Sequence, residues 1–97
     1  DPGQKEIWLD LAEMYVGEDD YKKAIETLKT GLEKQDQNAS LYYRLCGYYF
    51  RDSDRDNALI YLYSGLELDH PKHEELFDFF PELKNNEDVV SIISDYK

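Results

Sequence analysis

Apolar residues return at three- and four-residue steps along most of the chain. Ile7, Trp8, Leu11, Met14 and Tyr15 form one series, and Ala24, Ile25, Leu28 and Leu32 a second, the spacing of amphipathic helices that each bury one stripe. Between them, Gly17 and the acidic run Glu18-Asp19-Asp20 mark a turn. Asp19 or Asp20 can cap the second helix, where a carboxylate meets unpaired N–H groups at the positive dipole end and contributes about 0.5–2 kcal/mol. The plan recurs with Leu41, Tyr42, Leu45, Tyr48 and Tyr49, a turn at Asp52-Ser53-Asp54, and Ala58, Leu59, Leu62 and Leu66. Two helical hairpins are predicted.

The two hairpins are copies of one unit. A shift of 34 residues pairs Leu11 with Leu45, Tyr15 with Tyr49, Asp20 with Asp54, Ala24 with Ala58, Leu28 with Leu62, Gly31 with Gly65, Leu32 with Leu66 and Glu33 with Glu67, without a gap. Ile7/Leu41, Trp8/Tyr42, Glu18/Asp52, Ile25/Leu59 and Thr30/Ser64 are similar pairs in the same register. Small residues fall where paired helices approach closely: Ala12 and Cys46, Ala24 and Ala58, Gly31 and Gly65. A glycine inside a helix costs about 1 kcal/mol relative to alanine, so two at equivalent places indicate a packing demand.

Trp8…Leu11-Ala12…Tyr15…Ala24…Leu28…Gly31 and Tyr42…Leu45-Cys46…Tyr49…Ala58…Leu62…Gly65 resemble two tetratricopeptide repeats, covering 68 of 97 residues. The resemblance implies an all-α fold, an α-α superhelix (TPR solenoid) of two antiparallel helix pairs plus a C-terminal capping segment. The division is residues 1–4 as the tail of a preceding repeat or linker, 5–38 as repeat 1, 39–72 as repeat 2, and 73–97 as a broken third repeat with a capping helix. The proline that usually closes a repeat is Asp36 in the first unit and is shifted by one to Pro71 in the second. Pro2 stands 34 residues before Asp36, so Asp1-Pro2-Gly3 reads as the end of an absent unit and the chain as a C-terminal piece of a longer array, with a tag remnant as the alternative. The broken final unit resembles the ends of bacterial members of the family.

The third unit starts as His73-Glu74-Glu75-Leu76-Phe77-Asp78-Phe79-Phe80, with Leu76 in the place of Trp8 and Phe79 in that of Leu11. Pro81 forbids a full-length helix there, because it lacks an N–H and clashes with the preceding turn. Asn85-Asn86-Glu87-Asp88 then supplies a cap and an acidic first turn for a last helix with Val89, Ile92, Ile93 and Tyr96 on one face,. A stack of helix pairs leaves an apolar terminal face, so this segment is expected to be a lid, with Phe77, Phe79, Phe80 and Leu83 covering the end.

Proteins of this family bind peptides or protein segments in the concave groove lined by the first helix of each pair. The matching positions are Glu6, Leu9, Glu13 and Val16 in the first unit, and Ser40, Tyr43, Gly47, Phe50 and Arg51 in the second. Tyr43 and Phe50 lie seven apart with Gly47 between them, which predicts a shallow hollow for an apolar or aromatic anchor. Glu6 and Glu13 would rim it, favouring a peptide with Lys or Arg beside that anchor. The competing expectation is that Tyr43 and Phe50 pack under Leu76 and Phe80, with no groove open. The Lys/Asn clamp by which chaperone-adaptor members hold a C-terminal carboxylate is absent: Leu9, Glu13, Arg44 and Ser40 stand at those places.

Charge narrows the partners further. Eleven Lys+Arg against 22 Asp+Glu give a net charge of −11, which repels a phosphate backbone and an anionic bilayer. No nucleic acid, membrane, cofactor or metal is expected. One cysteine cannot form an internal disulfide and no apolar run is long enough to span a bilayer, so the expectation is a cytoplasmic chain,. Asp52-Ser53-Asp54-Arg55-Asp56-Asn57 imitates a calcium loop but has Asn57 at the sixth place and Tyr63 at the twelfth,; a turn and helix cap fits better. His70 and His73 read as surface histidines, Cys46 as a buried thiol, and Asn38-Ala39-Ser40 as a glycosylation acceptor only in a secretory setting. No nucleophile–base pair or phosphate loop is present, so the chain is expected not to be an enzyme. The leading expectation is a protein-interaction module; the alternative is a structural C-terminal cap of a longer scaffold, with self-association as a homodimer through exposed repeat faces.

Overall fold

The structure is a computed structural model and describes residues 4–34 and 38–96. Helices α1 (Gln4–Gly17) and α2 (Tyr21–Lys34) form one antiparallel hairpin, and α3 (Ala39–Arg51) and α4 (Arg55–Asp69) another. A 3-10 turn over His70–His73 leads into the six-residue α5 (Glu74–Phe79), a second 3-10 turn follows over Pro81–Asn85, and α6 (Glu87–Asp95) completes the order. No strand occurs among the described residues. The proposed repeat-closing role of Asp36 and the reading of Asp1-Pro2-Gly3 lie outside the described residues.

The repeated residues occupy matching environments in the two hairpins. Ala24 and Ala58 are fully buried, as are Leu28 and Leu62. Gly31 and Gly65 each have a ring against them, though not the equivalent one: a Cβ would lie 2.7 Å from Trp8 at Gly31 and 2.8 Å from Tyr43, the residue after Trp8's counterpart Tyr42, at Gly65. The second helices start alike, with the Asp20 carboxylate accepting from Lys23 N at 3.1 Å and Asp54 from Asn57 N at 3.2 Å. Asp20 is therefore the cap. Asp19 and its counterpart Ser53 take left-handed backbone, φ 61° and 62°, and the N–H of the following residue reaches back to Tyr15 O and Tyr49 O.

One expected stripe is divided. Ile7 and Met14 are 60% and 66% exposed, and Leu9 and Ala12 are the buried residues of α1. At the same positions of α3, Leu41 and Tyr48 are 0% and 2% exposed, because α2 packs there and brings Tyr21 to 6.1 Å from Tyr48. Periodicity locates an apolar stripe; a neighbouring helix decides whether it is buried.

The C-terminal segment closes the other end. α5 stops short of Pro81, and Phe80 adopts φ −132°, ψ 68°. The Asn86 side chain accepts from Val89 N at 3.1 Å and caps α6. Leu76, Phe80, Leu83, Val89 and Ile93 join the core, while Phe77 is half-buried and Phe79 is 47% exposed.

Candidate functional site

The hollow expected around Gly47 is filled. Phe80 occupies the space that a Cβ on Gly47 would need, and is itself 1% exposed. Tyr43, expected in the groove, is also 1% exposed: its ring lies against Gly65, and its hydroxyl donates to Asp69 O at 2.7 Å. Burial, with Asp69 nearby, raises the phenol well above its usual range. Phe50 is half-buried and Ser40 buried. The open anchor site expected between Tyr43 and Phe50 is thus corrected to an internal contact, because Gly47 admits the Phe80 ring from the chain's own C-terminal segment.

The first helix pair contributes Glu6, Glu13, Val16 and Leu9. Glu6 and Glu13 are exposed, Val16 is half-buried, and Leu9 is 8% exposed within the core. Leu9 is corrected from groove lining to packing.

Two arginines of α3 grip the C-terminal segment side by side. Arg44 is 6% exposed, with its guanidinium 3.7 Å from the centre of the Phe79 ring. It donates to the Tyr48 hydroxyl at 3.4 Å and lies 3.9 Å from Glu13. Arg51, seven residues on, stands 4.6 Å from the Phe80 ring and donates from Nε to Glu82 at 2.9 Å and from a terminal nitrogen to Phe79 O at 3.4 Å. The Arg51 guanidinium holds the Glu82 carboxyl below the usual carboxylate range, and Glu82 in turn raises Arg51. From α4, Arg55 donates to Asp88 at 2.8 Å and lowers that carboxyl. Glu13, Val16, Arg44, Tyr48, Arg51, Phe79 and Phe80 leave between them a cleft of about 50 Å³.

Arg51 is therefore where the sequence placed it, on the first-helix face, but it is engaged in holding the chain's own segment. The partners it grips, Phe79 and Glu82, were not read as site residues. The available signal was the aromatic run before Pro81: the proline ends the helix, and rings so placed call for burial, but their seat on α3 is set by tertiary packing.

The smaller motifs resolve into structure. Asp54 is a helix cap, and Asp52 accepts from Lys22 at 3.1 Å across the two hairpins. Among the described residues no group of three or more His, Cys, Asp or Glu is placed to hold a metal. His70 Nε2 lies 3.1 Å from Ile93 O, and its ring stacks on Tyr96 at 6.2 Å, so it helps seat α6. Cys46 is fully buried, and burial pushes its thiol up to about 12; a protonated, enclosed sulfur is a poor nucleophile. Among the described residues no helix is long and apolar enough to cross a membrane.

Residues 1–47 match the family model described as Tetratricopeptide repeat. These residues carry a tetratricopeptide repeat. The match spans α1, α2 and most of α3; the second hairpin repeats the caps and turn geometry of the first. Repeats of this family are generally non-catalytic modules of protein–protein interaction. No curated protein shows significant similarity to the chain.

Proposed function

We propose that this protein is a non-catalytic interaction module that takes a peptide or protein segment along the concave face of its first repeat, residues 5–38, while its own C-terminal segment occupies the share of the second, residues 39–72. The observation that carries the reading is the exposed margin beside Phe80. There Glu13 has 58% of its side chain exposed and Phe79 is 47% exposed, with Glu6 on the same face of α1. This margin offers carboxylates next to an aromatic surface, and the chain's charge of −11 draws a cationic segment towards it,. A segment carrying an apolar anchor flanked by Lys or Arg meets both demands. Selection of random displayed peptides on the full chain tests this. Enrichment of that pattern, with several-fold weaker binding to a Glu6→Lys/Glu13→Lys variant, is expected; selected peptides that bind wild type and variant equally would remove the concave face from the reading.

A second reading, a structural cap, is favoured by Phe80 seated over Gly47 and by the Arg51–Glu82 and Arg55–Asp88 pairs. In that role the exposed Ile7 and Met14 edge of α1 serves for self-association. Light scattering across a wide concentration range tests it, with a concentration-dependent dimer as the expected result and a strict monomer as the opposing one.

A further inference from the structure

The two repeats differ in the middle of a stack of rings on the surface between paired helices, away from the concave face. In the second repeat, Tyr61 of α4 lies between Tyr42 and Tyr49 of α3, with ring centroids 6.1 and 5.5 Å apart and interplanar angles of 30° and 13°. The equivalent positions in the first repeat are Trp8 and Tyr15, with Thr27 in the middle. Two aromatic walls remain and the ring between them is missing. What stands there is an open groove of about 240 Å³ lined by Trp8, Leu11, Tyr15, Lys23, Thr27 and Thr30, with Glu26 at its rim.

The walls are set for an occupant. Trp8 is seated against Gly31, its Cβ, Cγ and Cδ2 within 3.1 Å of where a Cβ there would lie, so the side chain is fixed at one side of the groove. The Thr27 hydroxyl donates to Lys23 O at 2.8 Å and makes no polar demand on what enters. Lys23 Nζ lies over the Tyr15 ring, 5.6 Å from its centre; its flexible side chain has to swing to the mouth as a ring enters, where it is a polar neighbour for a hydroxyl. Beyond Leu11 the surface continues into the exposed side chains of Ile7 and Met14.

We propose that this groove receives a tyrosine side chain of a partner polypeptide, held between Trp8 and Tyr15 as Tyr61 is held between Tyr42 and Tyr49. The internal copy supplies the identity of the ring: a phenol whose body stacks on two aromatic faces and whose hydroxyl stays at a polar mouth. The net charge of −11 favours lysine or arginine next to that tyrosine,. The inference is independent of the concave-face reading, since neither Glu6 nor Glu13 lines the groove.

Trp8 is the only tryptophan of the chain, so its fluorescence reports on the groove directly. The full chain is titrated with p-cresol, which is the tyrosine side chain alone, and with blocked lysyl-tyrosyl-lysine and lysyl-alanyl-lysine. A saturable change in Trp8 emission with p-cresol and with the tyrosyl peptide, several-fold tighter for the peptide at low salt, and none with the alanyl peptide, is the expected result. Thr27→Tyr should rebuild the three-ring stack, raise Tm and abolish both responses. Tyr61→Thr should open a second p-cresol site, read as shifts of the Leu45 methyl resonances. The proposal is overturned if neither probe perturbs Trp8, if the alanyl peptide binds as well as the tyrosyl one, or if p-cresol binds and the tyrosyl peptide does not, which would leave a small aromatic ligand instead. A Thr27→Tyr chain that melts lower than wild type also overturns it, because a ring then does not fit.

Discussion

Phe80 stands where the side chain of Gly47 would be, so that a ring from the C-terminal segment and a bare backbone on α3 form one contact. Gly47→Ala should force the ring out of place and cost about 1–3 kcal/mol, the range for overfilling a packed core. Urea denaturation measures it, and α5 and α6 should lose amide protection before α1 and α2. Unchanged stability would mean that Phe80 yields without loss and is not a fixed plug.

Tyr43 tests the same face from the other side. With its ring against Gly65 and 1% exposed, Tyr43→Ala should destabilise by about 3–5 kcal/mol, as large aromatic truncations in cores do. Tyr43→Phe removes only the bond to Asp69 O and should cost about 1 kcal/mol. Thermal melts of the two variants give the comparison; a Tyr43→Ala chain as stable as wild type would return this residue to the accessible groove.

Ser53 holds φ at 62° without being glycine. A left-handed residue with a Cβ is strained, so Ser53→Gly should stabilise by about 0.5–1 kcal/mol after the entropy of the freer unfolded chain is set against the gain. Asp19, at the equivalent turn, should gain less from the same change, since Asp tolerates this region better than Ser. Chemical denaturation of both single variants checks the order.

Acid should loosen the C-terminal segment first. Glu82 and Asp88 both have carboxyls lowered by an arginine. A carboxylate with a depressed folded value gives stability that is complete above its ordinary value and disappears as pH falls through the folded one. The Arg51–Glu82 and Arg55–Asp88 contributions are therefore full at neutral pH and decline below about pH 4. Melting curves of wild type and Glu82→Gln should differ at neutral pH and converge in acid; a constant gap would assign the Glu82 effect to packing.

The interval of 34 residues, the hairpins, and the presence of caps within Asp19-Asp20, Asp52-Ser53-Asp54 and Asn85-Asn86 were legible in the sequence, because each depends on residues a few positions apart or on a copied unit; which residue caps came from the structure. Exposure was not. Ile7 and Leu41 have the same spacing and nearly the same side chain, yet one is 60% exposed and the other 0%, since only Leu41 has a helix hairpin in front of it. Tyr43 and Leu9 failed as groove residues for a related reason: their place on the first helix is a matter of register, whereas burial depends on what packs against that face, for Tyr43 the bare backbone of Gly65 and the carbonyl of Asp69. The difference between Thr27 and Tyr61 is plain in the sequence, but the groove it leaves becomes visible only when the flanking rings are placed.

The seating of α6 gives the superhelix a direction. Tyr96 lies 6.4 Å from Tyr63 of α4, and Asp88 is bonded to Arg55 at the start of that helix, so the flank on which another hairpin would stack is already taken. Lengthening this scaffold, by evolution or by a protein engineer, has to proceed through α1; grafting a module onto α4 would first require evicting Val89 and Ile93 from their berth.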